Sequence, residues 1–418
     1  MKLPIWVFAH IERILKIVLQ FTGPADALIS RYFREHPKLG VRERAAIAES
    51  IYIVLRNRLI YSHFAESGSG AYTRRLALMG LSDLYPIDAL TDITENEREW
   101  LEHIHTIDRT QLPTKLQTNL PDWLYRYFIQ QYGEAETLEM ASVLNTPAPL
   151  DLRVNTLKCR RENAIDILKR IPVNCESTPY ASSGVRLAQK VSLQHMPLFK
   201  SGCVEVQDEG SQLLAQIVGA KRGEMVIDFC AGAGGKTLAL GAAMRNTGRL
   251  YAFDVSERRL ANMKPRLARS GLSNVHPIKI AHEHDAKIKR LTKKADRVLV
   301  DSPCSGLGTL RRNPDLKWRQ TEASVIEISE RQRQILESAA RLVKVGGRLI
   351  YATCSLLAIE NDAVAVDFLK KHSNYELIPM NQILDEAKIN LEMGEFLKLM
   401  PHKHQTDGFF AAVFRRKS

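Results

Sequence analysis

Two cysteine residues each follow a short apolar run that predicts a strand, which is a place where a thiol can act as a nucleophile. The segment 301–304 reads Asp-Ser-Pro-Cys after one run, and 352–354 reads Ala-Thr-Cys after another. If these strands are neighbours in a doubly wound sheet, their carboxyl ends open onto one crevice. Cys304, Cys354 and the carboxylate of Asp301 are therefore predicted to share a pocket.

Two thiols beside a carboxylate suit methylation of a pyrimidine ring. Carbon 5 of cytosine is a weak nucleophile, but thiolate attack at carbon 6 gives carbon 5 enamine character, which divides the barrier between two steps. A carboxyl group near the ring nitrogen can supply the proton that stabilises the adduct. Removal of the carbon 5 proton then expels the cysteine, and a second thiol, or a water that it orders, can assist. The spacing alone leaves open which cysteine attacks.

A glycine-rich turn upstream predicts a site for the methyl donor. Residues 226–237 read Val-Ile-Asp-Phe-Cys-Ala-Gly-Ala-Gly-Gly-Lys-Thr, which is typical of a strand, a sharp turn and the start of a helix. Glycines let the backbone approach a ligand closely. A Walker A loop is excluded because Cys230 stands where that motif needs glycine. A dinucleotide fingerprint is excluded because Thr237 stands at its third glycine.

Acidic residues at later strand ends indicate an adenosyl ligand rather than a plain strand-to-helix connection. Asp254 ends the next predicted strand, where its carboxylate can accept hydrogen bonds from both ribose hydroxyls. Asp285 follows the third strand and is predicted to meet the adenine amino group, and Asp228 precedes the turn. We therefore predict that S-adenosyl-L-methionine is bound by Cys230, Ala231, Gly232, Ala233, Gly234, Gly235, Lys236, Asp254, Asp285 and Asp301.

The remaining cysteines predict neither a metal site nor disulfides. The chain has six cysteines with no Cys-x-x-Cys pair and no histidine spacing typical of zinc. Cys159, Cys175 and Cys203 are interpreted as small apolar packing residues, and Cys230 as a packing or contact residue of the turn. Reduced thiols in a cytoplasmic protein are the expectation.

The apolar patterning predicts an α/β fold with three parts. Residues 1–140 are predicted to form a helical bundle. Residues 145–205 are predicted to form a small α+β unit, with strands at 150–154 and near Val185 and Val204 and a helix at 161–170. From 206 to 418, strands at 225–229, 250–254, 275–280, 297–301 and 348–353 alternate with helices, notably 327–343. This alternation favours a doubly wound, mostly parallel sheet, with 409–414 as a final antiparallel strand.

The net charge and the apolar pattern of the N-terminal stretch limit the binding partners that the sequence predicts. The 418 residues carry a formal net charge of +12, which favours a polyanion such as nucleic acid, although a basic cytosolic protein without such a partner has the same charge. The apolar stretch 1–21 is interrupted by charged residues, so it predicts an amphipathic helix with Ile11, Leu15, Val18 and Leu19 on one face rather than a membrane span. We expect a monomer with no membrane partner.

With these motifs in this order, the chain resembles the RNA 5-methylcytosine methyltransferases of the RsmB/NOP/NSUN type. The resemblance covers 206–212, 228–237, Asp254, Asp285, 301–304, 311–318, 353–355 and 408–410, and 153–158 resembles the first strand of the family's smaller RNA-contacting subdomain. It implies a Rossmann-like class I methyltransferase domain in which Cys354 attacks and Cys304 assists product release. DNA cytosine methyltransferases have the opposite assignment. Ala233 departs from the family, in which many members have proline in the turn, and this change is expected to loosen the turn slightly.

The N-terminal part resembles more loosely the NusB-like helical bundle that precedes the catalytic domain in the bacterial small-subunit ribosomal RNA members. Residues 40–45 and 53–56 carry this likeness. It favours ribosomal RNA as substrate over transfer RNA. The alternative of a catalytically inactive RNA-binding assembly factor is disfavoured for a different reason: such a protein would be expected to lose a cysteine or a cofactor carboxylate, and Cys304, Cys354, Asp254 and Asp301 are all present. The basic residues around Trp318 are predicted to form a lip that grips phosphates beside a flipped base; they are Arg311, Arg312, Lys317 and Arg319.

Overall fold

The structure is a computed structural model that describes residues 5–171, 173–189 and 191–418. The first four residues of the predicted N-terminal helix lie outside this description. The helices are α1 Ile5–Val18, α2 Ala25–Glu35, α3 Val41–Arg56, α4 Arg58–Ala65, α5 Tyr72–Ser82, α6 Glu95–Thr106, α7 Thr114–Thr118, α8 Asp122–Tyr132, α9 Glu134–Leu144, α10 Arg161–Arg170, α11 Pro197–Lys200, α12 Glu209–Val218, α13 Gly235–Ala243, α14 Glu257–Ser270, α15 Ala286–Lys289, α16 Leu316–Arg319, α17 Glu322–Ala340, α18 Asp362–Lys371, α19 Met380–Ala387 and α20 Pro401–His404. The strands are β1 Leu150–Val154, β2 Cys175–Ser177, β3 Gly184–Leu187, β4 Val204–Val206, β5 Met225–Asp228, β6 Arg249–Asp254, β7 Val275–Lys279, β8 Ala295–Asp301, β9 Val343–Thr353, β10 Tyr375–Ile378, β11 Leu397–Leu399 and β12 Phe409–Arg416.

The chain divides into two compact units. The first unit contains residues 1–147 and 309–322, and the second contains 148–308 and 323–418. The described part of the first unit is helical, and apolar side chains at helical spacing, among them Ile11, Ile47 and Leu76, are fully buried in its core. Helix α6 begins at a capping box, in which Thr94 and Glu97 satisfy each other's backbone amides. The predicted helical N-terminal region is confirmed. None of the described helices is long and apolar enough to cross a membrane.

The second unit begins with a small antiparallel sheet. Its strand order is β2-β3-β1-β4, and α10 contributes its buried face, with Leu168, to the same apolar core. The bounds of β1 and α10 are those predicted, and β3 and β4 lie at the predicted places. Strand β2 was not predicted, because its three residues, Cys175–Ser177, are half-buried or exposed and have no apolar alternation.

The larger sheet has the order β10-β12-β9-β8-β5-β6-β7, with β11 paired to β12. Strands β9, β8, β5, β6 and β7 are parallel, while β12 runs antiparallel to β9, so the predicted final strand and fold class are confirmed. The chain order reverses between β5 and β8, which opens a crevice at the carboxyl ends of these strands. Strands β8 and β9 are neighbours, with Asp301 opposite Ala352.

Further details of the second unit differ from the sequence prediction. The long helix α17 ends at Ala340, three residues before the predicted end, because the β-branched Val343 is buried in the sheet and pairs with Ala295 at the start of β9. Strands β10 and β11 were not predicted. Each is only three or four residues long, which is too short for a clear period-two pattern.

Candidate active site

A cavity of about 480 Å³ opens at the carboxyl ends of the parallel strands, within the second unit. The polypeptide reaches it wherever a strand ends: after β5 in the glycine-rich turn, at Asp254 of β6, at Asp301 of β8 and just after β9. Its lining residues are Ser211, Phe229, Cys230, Ala231, Gly232, Ala233, Gly235, Lys236, Asp254, Val255, Arg259, Ile280, Glu283, Asp301, Ser302, Pro303, Cys304, Arg331, Ile335 and Cys354. Most of the residues predicted from the sequence are thus brought to one place, although Gly234 and Asp285 are not in the lining.

The two thiols are in direct contact. The sulfur atoms of Cys304 and Cys354 lie 3.2 Å apart, and the backbone amide of Cys354 donates to the sulfur of Cys304 at 3.3 Å. The hydrogen bond with Cys354, followed by burial, raises the pKa of Cys304 well above its ordinary value. Cys304 therefore retains its proton and can donate it toward Cys354.

An ion pair stands beside the thiols. The ammonium of Lys236, in the first turn of α13, donates to Oδ2 of Asp301 at 2.7 Å and lies 5.7 Å from the centre of the Phe409 ring. Burial opposes the charge of Lys236, but Asp301 and neighbouring acidic groups outweigh burial and raise its pKa. The pair offers an N–H donor and a carboxylate at one edge of the cavity, which suits hydrogen bonding to a heterocycle.

The glycine-rich turn presents its backbone to the cavity. Gly232 and Gly234 have φ of +55° and +85°, a region that favours glycine, and a Cβ added at Gly232 would meet nothing within 4 Å. Asp254 accepts hydrogen bonds from the amides of Gly232 at 2.8 Å and Ser256 at 2.7 Å. Each carboxylate oxygen keeps a second lone pair. Open backbone on one side and a carboxylate on the other are the features that a ribose and a charged sulfonium ligand need, so the residues fit an adenosyl cofactor.

Two arginines that were not predicted as site residues donate hydrogen bonds to backbone carbonyls of the glycine-rich turn. Arg266 of α14 donates to the carbonyl of Ala233 at 2.7 Å, and Arg153 of β1 donates to the carbonyl of Gly235 at 2.6 Å. Glu205 of β4 in turn accepts from Arg266 at 3.0 Å. The expected loosening at Ala233 is therefore opposed by a hydrogen bond from a residue that is 33 positions away in the chain. No local sequence signal could have identified it.

Asp285 takes a different role in the structure from the one predicted. Its carboxylate caps α15 and accepts from the backbone amides of Ala281 and Lys287 at 2.8 and 2.9 Å, and these hydrogen bonds, the one with Lys287 first, lower its pKa. Glu283, two residues earlier, reaches the cavity instead and pairs with Arg331 at 3.1 Å. A short loop with several polar residues leaves the sequence ambiguous about which carboxylate faces the ligand.

Burial raises the pKa of two further groups at the turn, Cys230 and Asp228. Cys230 lines the cavity, but burial raises its pKa well above the ordinary value, so it is a neutral thiol suited to contact rather than attack. Asp228 is buried at the end of β5, where it accepts from Thr237 at 2.7 Å, and its second oxygen has no hydrogen-bond partner among the described residues. Burial raises the pKa of Asp228 to about 7.

The predicted phosphate-gripping lip is wrong for Lys317. This residue belongs to the first unit, where its side chain is 2% exposed and its ammonium donates to the carbonyl of Arg56 and to Asn145, both at 2.8 Å. Trp318 donates from its indole to the carbonyl of Leu55 at 2.8 Å. Hydrogen bonds to other parts of the first unit therefore hold Lys317 and Trp318 in place. A buried ammonium has to satisfy its hydrogen bonds within the protein.

The flanking basic residues are engaged in the same unit. Arg311 donates to the carbonyl of Pro147 at 3.0 Å, and Arg319 pairs with Asp315 at 3.2 Å, within the same helical turn. Arg312 is half-buried. These three arginines are only partly buried, so the predicted phosphate contact stays a prediction for them.

Comparison with known proteins identifies the family of the chain. A family model described as 16S rRNA methyltransferase RsmB/F matches residues 215–415, and one described as the RsmF/B-like ferredoxin-like domain matches 120–194. A protein of Synechocystis named probable ribosomal RNA small subunit methyltransferase B is 35% identical over 74% of this chain and 70% of its own length.

Two solved structures are also similar to this chain. The crystal structure of PH0851 is 26% identical and covers 100% of both chains with a TM-score of 0.79. A methyltransferase homologue from Pyrococcus horikoshii is 30% identical and covers 74% of this chain and 100% of its own, with a TM-score of 0.62. Taken with the glycine-rich turn and the paired cysteines at the ends of β8 and β9, these similarities show that the chain belongs to the RsmB/F family of ribosomal RNA methyltransferases, whose catalytic fold is the S-adenosylmethionine-dependent one.

Proposed function

We propose that this protein methylates carbon 5 of a cytosine in small-subunit ribosomal RNA, with S-adenosyl-L-methionine as the methyl donor. The observation that carries the proposal is the contact of the Cys304 and Cys354 sulfurs at 3.2 Å, beside the Lys236–Asp301 ion pair, in a cavity at the carboxyl edge of the sheet. Methyl transfer to an oxygen or an exocyclic nitrogen needs no thiol. An electron-poor ring carbon needs a covalent nucleophile, and paired thiols supply one.

We assign cofactor binding to the glycine-rich turn and to the strand ends beside it. The exposed backbone of Gly232 and the carboxylate of Asp254 would hold the ribose and amino acid parts, and Ile280 and Glu283, rather than Asp285, face the cavity after β7. When bound, S-adenosyl-L-methionine supplies an electrophilic methyl group. Arg266 and Arg153 keep the turn in shape by holding two of its carbonyls.

In the proposed mechanism Cys354 attacks carbon 6 of the cytosine, as it does in the family that the chain resembles. Cys304 keeps its proton, so its S–H group can donate a hydrogen bond to the Cys354 sulfur, which lies 3.2 Å away. The Lys236–Asp301 pair hydrogen-bonds the polar edge of the base, and as the adduct forms a proton of the Lys236 ammonium passes through the Asp301 carboxyl group to the ring nitrogen, which leaves Lys236 neutral. After methyl transfer, a water that the Cys304 thiol orders takes the carbon 5 proton, the bond between carbon 6 and the Cys354 sulfur breaks, and Cys304 donates a hydrogen bond to the departing Cys354 thiolate.

The choice of ribosomal RNA rests on charge and on the named relatives. A formal net charge of +12 favours a polyanionic partner. The relative from Synechocystis is named for the small ribosomal subunit. Because a base must leave its stack to enter a cavity at the edge of the sheet, an unpaired or flipped cytosine is the expected target.

The test combines gene deletion with a point variant. Bisulfite sequencing of total RNA should show one 16S ribosomal cytosine that is methylated in wild-type cells, unmethylated without the gene, restored by the wild-type gene and not restored by Cys354→Ala. Loss of methylation in a transfer RNA instead would overturn the substrate. Full restoration by Cys354→Ala would overturn the nucleophile, and an unchanged methylation map would leave an RNA-binding assembly factor as the function.

A further inference from the structure

A fully buried carboxylate, Glu360, lies beneath the two cysteines and takes no part in the mechanism described above. Its side chain is 0% exposed, and it does not line the cavity. Burying a carboxylate is costly unless hydrogen bonds satisfy it. The donors that satisfy Glu360 therefore indicate what it does.

These donors come from the residues that directly follow each cysteine. Ser305 donates to Glu360 through its backbone amide at 2.8 Å and through its hydroxyl at 2.5 Å. The hydroxyl of Ser355 donates to the same carboxylate oxygen as the hydroxyl of Ser305, and the two hydroxyl oxygens lie 3.2 Å apart. One carboxylate thus connects the first cysteine loop, residues 302–306, with the second cysteine loop, residues 354–358.

Neighbouring side chains fix the carboxylate itself. Gln332 of α17, also 0% exposed, donates to Glu360 at 3.0 Å and to the carbonyl of Pro303, just before Cys304, at 3.0 Å. Tyr351 of β9 donates from its hydroxyl to the backbone carbonyl of Glu360 at 2.6 Å. The carboxylate is held from α17 and from both loops, and the backbone of Glu360 is held from β9, so a shift of this residue would move the cysteine loops.

We propose that Glu360 is a positioning residue that ties the two cysteine loops together and thereby keeps the sulfurs of Cys304 and Cys354 in contact. The proposal rests on the proposed function for its catalytic meaning, but the geometry it describes is independent of methylation. A carboxylate suits this role because both of its oxygens only accept, and all four donors that it meets point inward. An amide at this position would turn an N–H toward one pair of donors.

The first experiment measures thiol proximity without RNA or cofactor. The full-length protein is treated with diamide, which takes two electrons and two protons from a thiol pair and becomes the hydrazine while the sulfurs form a disulfide. Peptide mass spectrometry then follows the Cys304–Cys354 crosslink with time. Because the sulfurs are already 3.2 Å apart, the wild-type protein should crosslink at least tenfold faster than Glu360→Ala, with Glu360→Gln between them.

A matched control and a second variant keep this experiment decisive. Glu97→Gln changes a buried carboxylate of the first unit and should crosslink at the wild-type rate. If Glu360→Ala does not fold, judged by circular dichroism, the double variant Ser305→Ala and Ser355→Ala removes the two hydroxyl donors and should slow crosslinking in the same direction. A wild-type crosslinking rate in folded Glu360→Ala, or in the double serine variant, overturns the proposal.

The second experiment separates positioning from binding. Since Glu360 does not line the cavity, Glu360→Gln should lower kcat for RNA methylation at least tenfold while the KM for S-adenosyl-L-methionine changes less than twofold. A raised KM with unchanged kcat overturns the positioning role. If the wild-type protein does not methylate RNA at all, the proposed function fails, and the diamide rates still decide whether Glu360 holds the two thiols together.

Discussion

The sulfur of Cys304 lies 3.2 Å from the sulfur of Cys354, and it also accepts the backbone amide of Cys354 at 3.3 Å. Two thiolates at this distance would repel strongly, so the pair holds at most one negative charge near neutral pH. The raised pKa of Cys304 keeps the proton on that residue. The contact therefore makes Cys304 the protonated partner, which agrees with the proposal that Cys354 is the attacking group.

Replacing Cys304 should still allow the thiol attack on the cytosine but should slow release of the methylated base from the enzyme. In Cys304→Ala, the attacking thiol is retained, but the group placed to assist removal of the carbon 5 proton is lost, so a covalent protein–RNA adduct should accumulate. A denaturing gel with labelled 16S ribosomal RNA and S-adenosyl-L-methionine would show the adduct as a slow band. Cys203→Ala, which alters a half-buried thiol of the small sheet, is the matched control and should give none. Wild-type turnover without adduct in Cys304→Ala would leave Cys304 with a structural role only.

The position of this contact was predictable from the sequence because it depends on topology. Once two apolar runs are placed as adjacent parallel strands, the residues after them must converge at one edge, and Cys304, Cys354 and Asp301 do so. The glycine-rich turn was predictable for a similar reason, since only glycine readily adopts the positive φ found at Gly232 and Gly234.

The supporting contacts were not predictable, because they join residues far apart in the chain. Nothing local to Arg266 or Glu360 indicates that one holds a turn carbonyl and the other ties two loops together. Polar loops were ambiguous too: Asp285 caps a short helix while Glu283 reaches the cavity. For Lys317 the charge pattern was misleading, since burial of the ammonium depends on helices that lie more than 170 residues earlier in the chain.

The ribose assignment predicts a contrast between two aspartates. Asp254→Asn should weaken binding of S-adenosyl-L-methionine by about 1–3 kcal/mol, because a charged acceptor for the ribose hydroxyls is lost. Asp285→Asn should change it by less than about 0.5 kcal/mol, because that side chain serves the amides of Ala281 and Lys287 outside the cavity lining. Titration calorimetry on the folded proteins measures both. Equal losses in the two variants would contradict the placement of the cofactor.

The hydrogen bond from Arg266 to Ala233 predicts a cofactor effect from a residue outside the cavity lining. Arg266→Met keeps the length of the side chain but frees the carbonyl of the turn, and it should weaken cofactor binding by about 1 kcal/mol, the net worth of one hydrogen bond. Arg269→Met is the matched control, because Arg269 also pairs with Glu205 but has no hydrogen bond to the turn in the described contacts. Calorimetry that gives equal affinities for the two variants would show that the turn does not need this support.

The buried Asp228 predicts how stability depends on pH. Its pKa rises from 3.8 to about 7 on folding, so the folded protein binds the extra proton, and the contribution of this group to stability is lost as pH rises toward and through 7. The loss is at most about 1.4 kcal/mol per pH unit. Asp228→Asn, which cannot ionise, should therefore unfold at higher urea concentration than wild type at pH 8, with the difference shrinking toward pH 5.

Asp296→Asn is the control of opposite sign. Burial alone would raise the pKa of Asp296, but its hydrogen bonds with Lys344 and the amide of Met225 outweigh burial and lower it. This variant should therefore be less stable than wild type by a nearly constant amount between pH 6 and 8. Urea melts of the cofactor-free proteins at several pH values measure these differences, and a stability gain in Asp228→Asn that grows toward acid pH would contradict the assignment of a proton to Asp228.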